Sequence, residues 1–123
     1  MRYLVDTNIL IDHLRGDAKA GLFLEEIEKG KLSAFISVIT EYEVLCGKFS
    51  KKESIEIKRL LSIFPSINIT SQVAGKAADF YKKYRTNIAD ALIASTCYYL
   101  DCVLATRNLK HFQKIKEISV KSI

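Results

Sequence analysis

Arg2-Tyr3-Leu4-Val5-Asp6-Thr7-Asn8 is the stretch on which the reading of the fold turns. Tyr3, Leu4 and Val5 form a short apolar run without alternation, which suits a strand buried on both faces of a parallel sheet. Asp6, Thr7 and Asn8 stand where that strand gives way to a helix beginning Ile9-Leu10-Ile11. Ligand sites in open α/β sheets lie outside the carboxyl ends of strands, so an acid at this place is expected to face a crevice. All three residue types also cap helix N-termini through a side-chain oxygen. From this stretch alone a site and a simple cap are equally good readings.

Outward from there, short apolar runs alternate with helical patterns. The spacing predicts a short helix over 9–14, a break at Gly16-Asp17, and a helix over 19–28 with Leu22, Phe23, Glu26 and Ile27 near helical spacing, ended by Gly30. A second strand is expected over 32–36, and Ser37 can cap a helix reaching Cys46 and Gly47. Ser50-Lys-Lys-Glu53 is a capping pattern that opens a helix towards Phe64 and Pro65. A third strand follows over 67–69, then a long helix over 71–84 with Val73, Ala77, Phe80, Tyr81 and Tyr84 along one face. The remainder reads as a helix over 88–100, a strand over 103–105, a helical turn over 109–112 and an edge strand over 118–120. Such alternation predicts an α/β fold, one domain over 1–123, with a mostly parallel sheet of four to five strands covered by helices on both faces.

Length and composition agree with a folded domain. The 123 residues are 49% apolar and 27% charged, which excludes disordered and fibrous classes. No apolar run approaches the ~20 residues of a membrane span, and the first apolar patch gives way at once to Asp6 rather than extending into a secretory signal, so a cytoplasmic location is expected. Cys46, Cys97 and Cys102 lie among apolar neighbours without metal-ligand spacing and read as buried thiols. With 19 basic against 14 acidic residues the chain carries +5, which favours a polyanionic partner such as nucleic acid.

Two further acids stand out. At about 100° per residue, Ile39, Tyr42 and Cys46 define an apolar stripe, Glu43 lies about 40° from Ile39, and Glu41 points away. Glu43 therefore faces inward, to be matched by a cation or by a neighbouring Lys or Arg; Glu41 reads as a solvated charge. Asp90 falls in the first turn of the apolar helix Ile88-Ala89-Asp90-Ala91-Leu92-Ile93-Ala94, where the helix dipole alone would justify it, yet its neighbours predict a buried setting. If Asp6, Glu43 and Asp90 converge at one sheet edge, three carboxylates are tolerable only around a hard cation such as Mg²⁺ or Mn²⁺.

Asp6-Thr7-Asn8, Ser37-Val38-Ile39-Thr40 leading to Glu43 and Gly47, the 88–94 motif, and Leu104-Ala105-Thr106-Arg107-Asn108 followed by Phe112 together resemble the PIN-domain ribonucleases, and in size and wording the VapC toxins of toxin–antitoxin pairs. The resemblance covers essentially the whole chain. It implies a three-layer PIN-like sandwich, Mg²⁺- or Mn²⁺-dependent hydrolysis of RNA to 5′-phosphate and 3′-hydroxyl ends, a homodimer, and a small cognate antitoxin that inserts into the active-site groove. Residue by residue, Asp6, Glu43 and Asp90 match the acidic metal ligands, and Thr7, Asn8, Thr106 and Asn108 match supporting polar positions. His111 departs from the pattern, standing where the family usually has an acid, and so a weaker second metal site is expected there. Arg15, Lys48, Arg85 and Arg107 are the candidate RNA-binding cations by nearness to these motifs. A receiver domain would need an acidic pair after the first strand, and an aspartyl phosphotransferase a second Asp at position 8; Thr7 and Asn8 exclude both. The remaining alternative is a degenerate PIN domain that binds RNA or protein without cutting.

Overall fold

The computed structural model describes all residues from 1 to 123. Five strands, β1 (Arg2–Val5), β2 (Ser33–Ser37), β3 (Ser66–Ile67), β4 (Val103–Thr106) and β5 (Ser119–Ser122), pair in the order β3-β2-β1-β4-β5, and every pair is parallel. Seven helices connect or flank them: α1 (Thr7–Leu14), α2 (Ala18–Glu28), α3 (Val38–Leu45), α4 (Lys51–Leu61), α5 (Ser71–Tyr84), α6 (Ile88–Leu100) and α7 (Leu109–Phe112). The α/β expectation and its three-layer sandwich are met, with β5 at the edge where the sequence placed it.

The pleat of β1 divides the core. Tyr3 and Val5 point into one cluster with Leu10, Leu24, Val44, Ile57 and Leu60, from α1, α2, α3 and α4. Leu4 points the other way, into a cluster with Phe80 of α5, Ile93 and Cys97 of α6, and Phe112 of α7. Successive strand residues face opposite sides, so a strand with helices on both sides must be apolar throughout. Leu4 is fully buried, and truncating such a leucine to alanine costs roughly 2–5 kcal/mol.

β1 lies between β2 and β4, so chain order runs outward in both directions from the β1–β4 boundary. At that switch point the connections diverge and leave a crevice at the carboxyl edge. Asp6 extends the ladder there, its N–H donating to Ala105 O at 2.9 Å. No helix is long and apolar enough to cross a membrane.

Several local expectations are corrected. α1 begins at Thr7, two residues early, because Asp6 serves as its N-cap. The buried row of α3 is Thr40 and Val44, whereas Tyr42 is 67% exposed and Cys46 also faces solvent. The stripe failed because α3 meets α1 through a polar contact, Thr40 against Thr7, that an apolar count ignores. Tyr81 and Leu22, expected on buried faces, are exposed as well. Of the three thiols only Cys97 is buried; Cys102 is half-buried, and its Sγ lies 4.0 Å from that of Cys97.

Candidate active site

Asp6 ends β1 in extended backbone and is 4% exposed. Its Oδ1 accepts from the Thr7 N–H at 2.8 Å and its Oδ2 from the Thr106 hydroxyl at 2.7 Å. One oxygen caps α1, and the residue also lines the crevice at the strand end. Thr106 ends the adjacent strand β4, and its hydroxyl in turn accepts from the Asn108 N–H at 2.9 Å. Burial pushes the Asp6 carboxyl above its ordinary value; the hydrogen bonds from Thr106 and Thr7 oppose this, and the nearby charges of Asp90 and Glu43 add to it.

Glu43 is half-buried on α3, and its Oε1 lies 2.6 Å from Thr7 Oγ1, which also shares a 3.0 Å hydrogen bond with Thr40 Oγ1. A hydroxyl has one proton and a carboxylate has none to give, so Thr7 donates to Glu43. The bond ties α3 to the start of α1.

Asp90 occupies the third position of α6. Its N–H donates to Asn87 Oδ1 at 2.8 Å, and its Oδ2 accepts from Asn87 Nδ2 at 3.0 Å, a reciprocal arrangement that fixes the carboxylate in the first helical turn. The same Oδ2 lies 3.3 Å from His111 Nδ1 on α7. The Asp90 side chain is 15% exposed, in line with the buried setting expected from its neighbours.

These side chains surround a groove of about 520 Å³ at the carboxyl edge of the sheet, lined also by Asn8, Asn108, Tyr42 and Cys46. Asp101, the C-cap of α6 just before β4, lies at the opposite edge. A hollow of about 530 Å³ between α1, α2 and α4 is comparably large and carries His13, Glu25, Glu28, Glu56 and Arg59. It lies away from the strand ends, and Glu25 and Glu28 there are already paired with Lys29 and Arg59.

A hard divalent cation fits the donor set of the groove. Its three carboxylates offer hard oxygen donors, the most buried of them is destabilised as an anion chiefly by burial and further by the other two, and the groove leaves room for the waters that Mg²⁺ retains. No three His, Cys, Asp or Glu side chains close on a common point as they stand, and each carboxylate of the groove is held by a hydrogen bond from a neighbouring Thr or Asn.

The family model for the PIN domain matches residues 3–118. The chain belongs to the PIN-domain family. This PIN domain is 36% identical over 121 residues to ribonuclease VapC10 of Mycobacterium tuberculosis, a match covering 94% of this chain and 89% of that one. It is 32% identical to a chain of a toxin–antitoxin complex from Klebsiella pneumoniae, with a TM-score of 0.77 and coverage of 98% and 99%. VapBC2 from Rickettsia felis, solved on a promoter DNA fragment, shares the fold at a TM-score of 0.83 and 21% identity, with 100% of this chain and 99% of that one covered.

The cations of the PIN domain are placed less simply than its acids. None of the four singled out from the sequence lines the groove itself. Arg107 turns away and is held by Asp17 through two 2.8 Å bonds and by Asp12 at 3.2 Å, so its charge is already matched. That pairing holds the Asp17 carboxyl well below the usual carboxylate range. Arg15 caps the far end of α1, and Lys48 is exposed beyond α3. Arg85 alone lines a cavity that adjoins the groove. Sequence reading missed Thr40 and Asn87. Asn87 was legible in principle, since Asn followed three residues later by Asp is a helix-start pattern; Thr40 lies within the quoted Ser37-to-Thr40 motif, but its contact with Thr7 was not legible there.

Proposed function

We propose that this PIN domain is a divalent-metal-dependent endoribonuclease, the toxin of a toxin–antitoxin pair. The observation that carries this reading is the arrangement of Asp6, Glu43 and Asp90. They come from three separate elements, each is fixed by a hydrogen bond from a neighbouring Thr or Asn, and all line one groove. Structural carboxylates have no need to be gathered in this way; a cation-binding centre requires it.

Asp6, Glu43 and Asp90 would hold Mg²⁺ or Mn²⁺, which when bound supplies Lewis-acid stabilisation of charge on the phosphate and acidification of water. The remaining work belongs to the protein. Thr106 and Thr7 keep both Asp6 oxygens in place, Thr7 holds Glu43, and Asn87 with His111 holds one Asp90 oxygen. His111 thereby acts as a positioning residue for Asp90. The amides of Asn8 and Asn108 line the groove and can donate to phosphate oxygens. In the reaction a water oxygen bonds to phosphorus in line with the departing 3′-oxygen, which leaves with a proton, giving a 5′-phosphate and a 3′-hydroxyl.

The similar structures support one partner, an antitoxin. A toxin–antitoxin complex is among the similar structures, and we extend an antitoxin to this chain. A homodimer belongs to the same reading. Its candidate face is an apolar hollow of about 340 Å³ between α5 and α6 that includes Tyr81 and Ile88, the latter 74% exposed.

The test is cleavage of a mixed cellular RNA pool by the purified protein with Mg²⁺, with Mn²⁺ and with chelator, beside Asp6→Asn and Asp90→Asn. The reading expects cutting that needs metal and disappears in both variants. Intact RNA with either metal, from a folded protein, would favour the binding-only alternative.

A further inference from the structure

Beside the catalytic groove, on the far side of Asp90, lies a second, smaller cavity of about 230 Å³ lined by Arg85, Thr86, Asn87, Asp90, His111 and Lys114, with no apolar residue among them. Asn87, Asp90 and His111 line both spaces and so form the wall between them. We propose that this cavity is an anion subsite that takes the RNA phosphodiester adjacent to the one being cut. The inference rests on the groove being an RNA-cleaving centre.

The first argument is charge without a partner. Only five of the 19 Lys and Arg side chains, Arg59, Arg107, Lys29, Lys31 and Lys83, are paired with a carboxylate within 4 Å, so what distinguishes Arg85 and Lys114 is that they share one recess. Arg85 and Lys114 are exposed and make no ion pair, although they border the same cavity from different elements. Asp90, the one carboxylate there, has its Oδ2 engaged by Asn87 and His111. Net positive charge in a polar recess next to a centre that handles phosphate is what an adjoining phosphate needs.

The second argument is Thr86. It is only 5% exposed, and its hydroxyl is among the few buried polar atoms in the protein without a hydrogen-bond partner. An unpaired buried hydroxyl costs free energy; its oxygen has almost no accessible surface as it stands, so a phosphate would engage it after the side chain turns into the cavity that Thr86 lines. The backbone agrees. Arg85 ends α5 in the left-handed region, at φ 57°, an unfavourable conformation for a residue with a Cβ. This turn leads straight into Thr86 and the N-cap Asn87, whose following N–H groups carry the positive end of the 13-residue helix α6.

The test measures binding of a mixed-sequence single-stranded RNA oligonucleotide in chelator, so that no cutting occurs, at a series of salt concentrations. Loss of one phosphate contact lowers the slope of log affinity against log salt by about 0.7 on a single strand. Arg85→Ala and Lys114→Ala are each expected to do so. Thr86→Val removes the hydroxyl at constant shape: it should weaken binding while leaving the melting temperature unchanged or higher, an outcome that a merely structural threonine would reverse. With Asp6→Asn as a background that keeps the oligonucleotide intact, a single methylphosphonate beside the cut linkage should weaken binding, and Lys114→Ala should abolish that penalty. Wild-type slopes in both cation variants, or no coupling between Lys114 and any neutralised linkage, would overturn the subsite. The cleavage assay judges the catalytic centre separately: an Asp6→Asn protein that still cuts would sink that centre while leaving the slopes to decide the subsite.

Discussion

Replacing Thr7 by valine removes one hydroxyl at nearly constant shape and breaks two hydrogen bonds at once. The bond to Glu43 at 2.6 Å is lost, and Thr40 Oγ1, on a residue with no exposed surface, loses its partner. Glu43 is only half-buried, so water restores part of its solvation; about 1 kcal/mol is a fair loss for this bond. Leaving the Thr40 hydroxyl buried and unpaired costs about 1 kcal/mol more. Together, about 2 kcal/mol should lower the melting temperature by about 8 °C for a chain of this size. Thr7→Val/Thr40→Val removes both members of the buried pair and should recover roughly half of that loss, because replacing both partners by apolar groups of the same shape is nearly neutral. RNA cleavage should not recover with it, since Glu43 stays untethered in both proteins. Thermal denaturation and initial cleavage rates on the wild type and both variants test this together. A double variant no more stable than Thr7→Val, or cleavage that returns along with stability, would refute the reasoning.

The buried Asp6 carboxyl is held above its ordinary value, so the folded state binds its proton more tightly than the unfolded chain does. Stability should therefore fall as pH rises from the ordinary carboxylate range through the folded value and stay reduced above it. In chelator, Asp6→Asn is expected to melt higher than wild type at pH 7 and to lose that advantage near pH 3; equal melting at both would contradict the burial argument. Arg107→Ala should lower the melting temperature yet leave the salt dependence of RNA binding untouched, because its guanidinium is taken up by Asp12 and Asp17; a reduced salt slope would return Arg107 to the RNA surface. Ala78→Glu puts a charge into the apolar hollow between α5 and α6 and should shift the sedimentation coefficient to that of the monomer; an unchanged dimer would place the interface elsewhere.

How much was legible from sequence depended on whether a signal was local. β1 and the acid that ends it were readable because a doubly buried strand must be continuously apolar, and α5, α6 and α7 matched their expected bounds because caps and periodicity agree there. The boundary of α1 was misread because Asp6 has two tasks, and the face of α3 because its buried row includes a threonine whose partner is 33 residues away. The three acids could be nominated from burial and motif, but their hydrogen-bond partners could not: Thr106 lies 100 residues from Asp6. Nearness in sequence did not tell which cations border the groove or the cavity beside it. Arg107 follows a site residue directly and nonetheless points to α1 and the turn after it, whereas Lys114, which no motif marked, borders the cavity beside Asp90.

Calorimetric titration of Mn²⁺ into metal-free wild type, Asp6→Asn, Glu43→Gln, Asp90→Asn and Thr106→Val tests most directly whether three carboxylates from three elements form one cation centre. The account expects saturable binding in the wild type, its loss in Asp6→Asn and Asp90→Asn, weakening in Glu43→Gln, and about 10- to 100-fold weaker affinity in Thr106→Val, which removes only the hydrogen bond that orients Asp6. Equal Mn²⁺ affinity in the wild type and the three carboxylate variants would contradict it.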